Sequence, residues 1–252
     1  MSIALERPAP VRPAVVVGLA VGPRPAHLRL RLLGGFELTV DDAPCELPPA
    51  AARLVAFLAL SGRPMPRSYV AGVLWGDRSD ERAAACLRSA IWRANGTHPV
   101  IQAGRTRLAL ADVWVDAVAA ADAAHAQIAG GRPVEPGLLT GELLPGWYDE
   151  WVEVERERLG QLCLEGLEQM ARAYLREGRW CQAIEAALGV VAVEPLRESA
   201  HRVLIEAHTG AGNRAAALRQ YEACRAVMRR DLGMEPGAAV RRAAAEARTA
   251  DR

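Results

Sequence analysis

Between Arg78 and Leu110 six arginines stand against two acids, Asp80 and Glu81. Guanidinium groups with so few carboxylates around them are suited to phosphate, which they can meet singly or in bidentate fashion. Arg82, Ser89, Trp92 and Arg93 fall on one side of a helical wheel, with apolar Ala83, Leu87, Ala90, Ile91 and Ala94 on the other. Arg82, Arg88 and Arg93 can pair with phosphates or, aimed into a groove, contact guanine, and Ser89 is short enough to donate to a phosphate without blocking entry. Arg105 and Arg107 are one residue apart, so on a strand they would point the same way, toward phosphates or a minor groove. Trp92 can stack on a neighbouring sheet or lie on a sugar backbone, and core packing is the expected role. These seven residues, Arg82, Arg88, Ser89, Trp92, Arg93, Arg105 and Arg107, form the candidate DNA-binding set. The bland alternative is a solvated basic face with no partner.

Other chemistries find little support. The five histidines, His27, His98, His125, His201 and His208, are scattered. Glu198 and His201 lie one helical turn apart but lack a third ligand nearby, so a solvated helical face is expected there and no metal site. Gly210, Ala211 and Gly212 resemble a phosphate loop only superficially, with no preceding strand and no lysine, and are read as a repeat turn. No catalytic residue, metal or cofactor is expected. Cys45, Cys86, Cys163, Cys181 and Cys224 are odd in number and far apart, which suggests neither a disulfide framework nor a metal knuckle and fits a reducing cytoplasm. Arginine is used throughout in place of lysine and alanine is abundant, as in products of a GC-rich genome.

The elements that must position the basic residues can be read from periodicity. The chain has 252 residues, 51% of them apolar, enough for two cores. Its net charge of +1 conceals an excess of +4 over residues 28–110 and a deficit of −5 over residues 111–252. Leu28, Leu30 and Leu32, then Phe36, Leu38 and Val40, alternate with polar residues and predict strands, with Gly34 and Gly35 at a bend. Asp41 to Pro44 predict a hairpin turn leading to a third strand through Cys45 and Leu47. Pro48 and Pro49 open a first helix with a Leu54, Phe57, Leu58 stripe; a second runs from Pro66 to Leu74, closed by Trp75 and Gly76. The third is Asp80 to Asn95, capped by Ser79 or Asp80. Val100 to Leu110 then predict two short strands around a turn.

Past Leu110 the pattern is helical almost to the end. Asp112 to Asp116 form an exit strand or cap, followed by an alanine-rich helix to Ile128. Residues 130–146 make a loop long enough to require a packed conformation of its own. Sliding the sequence by 34 residues places Met170 on Leu204, Ala173 on Ala207, Gly178 on Gly212 and Ala183 on Ala217, the tetratricopeptide period. Two copies need caps, for which Trp147 to Glu165 and Gly237 to Arg248 are available. The predicted fold class is thus an α+β N-terminal winged helix followed by an all-α tetratricopeptide-like repeat domain. The divisions are a Pro- and Arg-containing disordered tail over 1–27, a winged helix over 28–111 and a helical domain over 112–252. The apolar run Ala14 to Val21 is far short of the roughly 20 residues of a membrane span, and Glu6 and the surrounding prolines argue against its being a signal-peptide core.

The chain resembles the actinomycete antibiotic regulatory proteins, which join a winged helix of response-regulator type to a bacterial transcriptional activation domain. The resemblance is carried by Leu30 to Gly34, by Leu74, Trp75, Gly76 and by Leu87 to Arg93. In the second half it rests on Trp114, Val115, Asp116, on Pro145, Gly146, Trp147 before Trp151, and on Glu222 to Pro236. It spans roughly residues 28–248. It implies a cytoplasmic transcriptional activator of biosynthetic genes that binds direct repeats in double-stranded DNA, recruits RNA polymerase holoenzyme and pairs as a homodimer on DNA. Where relatives continue the third helix with leucine and basic residues, this chain has Ala94, Asn95 and Gly96, so a shorter helix is expected. The chain resembles the short form of the family. The competing reading is a helical-repeat interaction module whose N-terminal domain docks protein instead of DNA.

Overall fold

The computed structural model describes residues 27–96, 98–131, 134 and 136–249. The tail expected over 1–27 lies outside these apart from His27. Strands β1 (Leu28–Arg31) and β2 (Glu37–Val40) pair antiparallel, with Leu30 opposite Leu38, and their period-two pattern buries Leu28, Leu30, Leu38 and Val40 on one face. Asp41 and Asp42 both take left-handed φ values, 50° and 66°, giving the two-residue turn whose twist matches that of the flanking strands. The third strand, β3 (Ala43–Pro44), is shorter than expected. It ends before Cys45 and Leu47 because Pro48 and Pro49 already turn the chain into helix α1 (Pro49–Ser61).

After α1, which ends on Gly62 with φ of 60°, the residues Met65–Pro66 form a strand, β4, and not the start of the second helix. Helix α2 therefore begins at Arg67 and runs to Leu74. Helix α3 (Asp80–Ala94) buries Ala83, Leu87, Ala90, Ile91 and Ala94, the apolar stripe read from the sequence. Ser79 occupies its N-cap position, but neither it nor Asp80 provides a side-chain cap; Asp80 and Glu81 instead place negative charge in the first turn, at the positive end of the dipole. Strands β5 (Ile101–Ala103) and β6 (Arg107–Leu110) form the hairpin, and β4 adds to β6 to make a three-stranded sheet of order β4-β6-β5.

Strand β7 (Val113–Val115) returns to the first sheet, parallel to β1, giving the order β3-β2-β1-β7. Helices α4 (Asp116–Ile128), α5 (Glu150–Arg176), α6 (Trp180–Val193), α7 (Glu198–Gly210), α8 (Arg214–Leu232) and α9 (Ala238–Thr249) follow. The repeat is realised as helix pairs, with Gly178 and Gly212 in left-handed turns and Ala183, Ala207 and Ala217 fully buried between helices. The Gly210 turn is structural: a side chain there would meet the Trp180 ring at 2.9 Å. Helix α9 closes the stack, packing Val240, Ala243 and Ala247 against Ile205, Cys224 and Met228.

The described residues of the 130–146 segment include a packed stretch, with Leu139, Leu143 and Leu144 buried. Leu143 bridges to Leu33, and the Leu144 amide donates to the Leu32 carbonyl at 2.8 Å. Arg156 of α5 fixes this loop from the other side, donating to the carbonyls of Leu143, Leu144 and Trp147 at 2.7 to 2.9 Å. The Trp147 and Trp151 motif then gains its physical role. Trp147 stacks on Phe36 at 6.0 Å, Trp151 meets Phe57 edge-on at 5.3 Å, and Arg53 of α1 pairs with Asp149. Buried Asp116 caps the joint, accepting from the amides of Leu32, Leu33 and Ala117. A single hydrophobic core thus runs from β1 to α7.

His201 corrects the expectation of a solvated face. It is 2% exposed, its Nε2 donates to the Pro195 carbonyl at 2.8 Å, and its Nδ1 accepts from Gln220 at 2.7 Å. Glu198 turns away to bond the Gly237 amide. Packing of α7 against α6 and α8 decides this, since a one-turn spacing does not reveal which flank of a helix is covered.

Candidate nucleic-acid interface

The α3 stripe fixes which residues face outward. With Leu87 and Ala90 held in the core, Arg82, Arg88, Ser89, Trp92 and Arg93 are all exposed. Trp92 is the clear correction: it is 76% exposed, so its packing role in the core is overturned. The wheel position allowed either, and no strand of either sheet comes to cover it.

The hairpin lies beside the C-terminal end of this helix because Asn95 ties the two together. Its side chain donates to the Ile101 carbonyl and accepts from the Ile101 amide, both at 2.8 Å. Asn95 is also the residue that ends α3, so the early stop expected from Ala94, Asn95 and Gly96 is present and is used as a joint.

Arg105 and Arg107 do not form the paired set expected of them. Arg105 lies in the turn between β5 and β6, while Arg107 opens β6 and donates to the Pro64 carbonyl at 3.1 Å. Both are exposed, but only Arg107 sits on a strand. The extra strand β4 causes this, because pairing of Pro66 with Arg107 draws that side chain back over residues 64–66.

Arg67 was missed by sequence reasoning. It opens α2, its amide donates to the Thr106 carbonyl at 2.9 Å, and its guanidinium donates to the Gly104 carbonyl at 3.2 Å. It shares a groove of about 420 Å³ with Arg88, Trp92 and Asn95. Nothing in local spacing announces it, since 21 positions separate it from Arg88; only the surplus of arginine in the region was a hint.

The charges of this surface are free to act. Among the described residues Arg82, Arg88, Arg93 and Arg105 enter no ion pair, whereas Arg156, Arg158, Arg172, Arg197, Arg202, Arg225, Arg229 and Arg230 of the helical half all pair with carboxylates. Exposed guanidinium groups without ion pairs, beside an exposed indole, can neutralise phosphates. Among the described residues no three His, Cys, Asp or Glu side chains gather to hold a metal, and no helix is long and apolar enough to cross a membrane.

Comparison with known proteins identifies the domain of the C-terminal half. Residues 111–248 match the family profile of the bacterial transcriptional activator domain. The regulatory protein AfsR of Streptomyces coelicolor is 28% identical over 207 residues, covering 75% of this chain and 21% of that protein. AfsR of Streptomyces griseus is 26% identical over 230 residues, covering 83% and 23%. The chain therefore spans about a fifth of the length of these curated relatives. In fold it is similar to Mycobacterium tuberculosis EmbR, solved in complex with a low-affinity phosphopeptide. The TM-score is 0.69 at 23% identity, with 88% of this chain and 65% of that one covered.

Proposed function

The chain belongs to the actinomycete antibiotic regulatory proteins, the family whose bacterial transcriptional activator domain it carries, and from that premise we propose that it is a sequence-specific DNA-binding activator. Residues 28–111 are the DNA-binding part and residues 112–252 the activation domain. Helix α3 enters the major groove, with Arg82, Arg88, Ser89 and Arg93 meeting phosphates and base edges and Trp92 lying on the sugar backbone. Arg105 and Arg107 of the hairpin approach the adjacent backbone or minor groove. The observation that carries this reading is the set of four arginines without ion pairs, on α3 and the hairpin turn, in a protein that neutralises most arginines of its helical half.

The targets are direct repeats upstream of a secondary-metabolite cluster, bound by two copies side by side, with the helical domain recruiting RNA polymerase holoenzyme in the cytoplasm. The test is binding to duplex fragments from the promoters neighbouring its own gene, followed by footprinting and a salt titration. Each phosphate neutralised contributes about −0.9 to the slope of log affinity on log salt, so several such pairings give a steep dependence. A flat salt response would favour the alternative, a module that docks protein through Trp92, whose exposure suits a protein hot spot as well as a sugar backbone.

A further inference from the structure

Another groove, of about 510 Å³, shares no residue with the basic surface and opens between residues 139–143 and helices α5 and α6. Its walls are mainly hydrocarbon, from Leu143, Leu159, Leu164 and Leu167, with Val193 exposed at 69% on its border. Two of its wall residues are glycines in the middle of helices, Gly160 on α5 and Gly189 on α6. Glycine is unfavourable in a helix interior and is normally explained there by close packing. Gly166, also on α5, has that explanation, because a Cβ there would come within 2.9 Å of Ala124. Gly160 does not: a Cβ at this position meets no atom within 4 Å, and at Gly189 the nearest atoms, on Leu167 and Thr140, are 3.9 Å away. Neither glycine has a positive φ. Their effect is to leave space in the groove from both helices.

We propose that this groove is a binding site for an uncharged, predominantly apolar small molecule. Its volume falls in the range of about 300–1,000 Å³ typical of small-molecule sites. The charge on its wall is already committed, since Arg156 donates to three backbone carbonyls and has Glu142 3.5 Å from its Nε. Burial raises the Cys163 thiol to about 11, so this wall residue also stays neutral. The polar group left for orienting a ligand is the Thr140 hydroxyl, which donates to Gly137 and can still accept. An occupant would touch a loop tied to the N-terminal sheet, because the Gly34 amide donates to the Glu142 carbonyl at 2.8 Å. The site stands independently of any role in DNA binding.

The test uses the full chain and the neutral fluorophore N-phenyl-1-naphthylamine. Saturable enhancement at one site per chain is expected, with affinity reduced at least tenfold in Gly160→Leu and in Gly189→Leu. Far-ultraviolet circular dichroism verifies that each variant is folded, and either folded variant suffices. Tyr69→Ala, which does not line the groove, serves as the control and should bind as the parent does. Absence of saturable binding, or unchanged affinity in a folded glycine variant, overturns the proposal. Concentration-dependent self-association abolished by the same substitutions would overturn it in favour of a second copy of the chain.

Discussion

Asn95 and Ile101 exchange two hydrogen bonds, so that a side chain amide plays the part of a strand partner between the end of α3 and the start of the hairpin. The arrangement fixes the distance between the two basic elements without a longer helix. It works together with the bonds of Arg67 to Thr106 and Gly104, which hold the far end of the hairpin to α2.

Asn95→Ala is expected to lower stability by about 1–3 kcal/mol, since both Ile101 backbone groups lose their partner. Denaturant unfolding measures this. Duplex affinity should fall further than stability alone explains, because the hairpin arginines lose their register with α3.

Arg88→Ala and Arg93→Ala should change stability little, since both side chains are exposed, with Arg93→Ala losing at most about 1 kcal/mol from its place at the negative end of the α3 dipole. Removing a guanidinium that neutralises one phosphate should reduce the salt slope of duplex binding by about 1. An unchanged affinity and slope would remove that arginine from the interface. Leu87→Asp supplies the contrast on the same helix: it places a charge in the core and should unfold the N-terminal part, whereas Leu87→Ala should cost about 2–5 kcal/mol.

Asp116→Ala should cost about 2–5 kcal/mol, because it leaves the amides of Leu32, Leu33 and Ala117 without their shared acceptor. Asp116→Asn, which keeps one carbonyl oxygen, should lose less. Urea unfolding of the two variants distinguishes them.

His201 links stability to pH. Burial holds its folded-state value below that of an ordinary imidazole, and its Nδ1 faces the Gln220 amide as an acceptor. The unfolded chain therefore takes up the proton first, and stability present above the ordinary imidazole value near 6.5 declines as pH falls below it. His208 is shifted in the same direction, by burial and by Arg219. Melting temperatures between pH 7.5 and 5.5 should fall for the parent and fall less for His201→Gln.

Everything carried by local periodicity was legible in the amino-acid sequence. The α3 stripe from Ala83 to Ala94, the alternation from Leu28 to Val40 and the 34-residue repeat each state which face of an element is buried, and the structure buries those faces. Motif residues such as Trp147 and Trp151 were visible as a pattern, though their packing on Phe36 and Phe57 was not. Tertiary packing alone settled what meets what across long separations. It paired β7 with β1 and β4 with the hairpin, drew Arg107 back to Pro64, placed Arg67 beside Arg88, buried His201 and left Trp92 in the open. The reason is physical: a helix or strand fixes the direction of a side chain relative to its own axis, but its partner is supplied by an element that the local sequence does not contain.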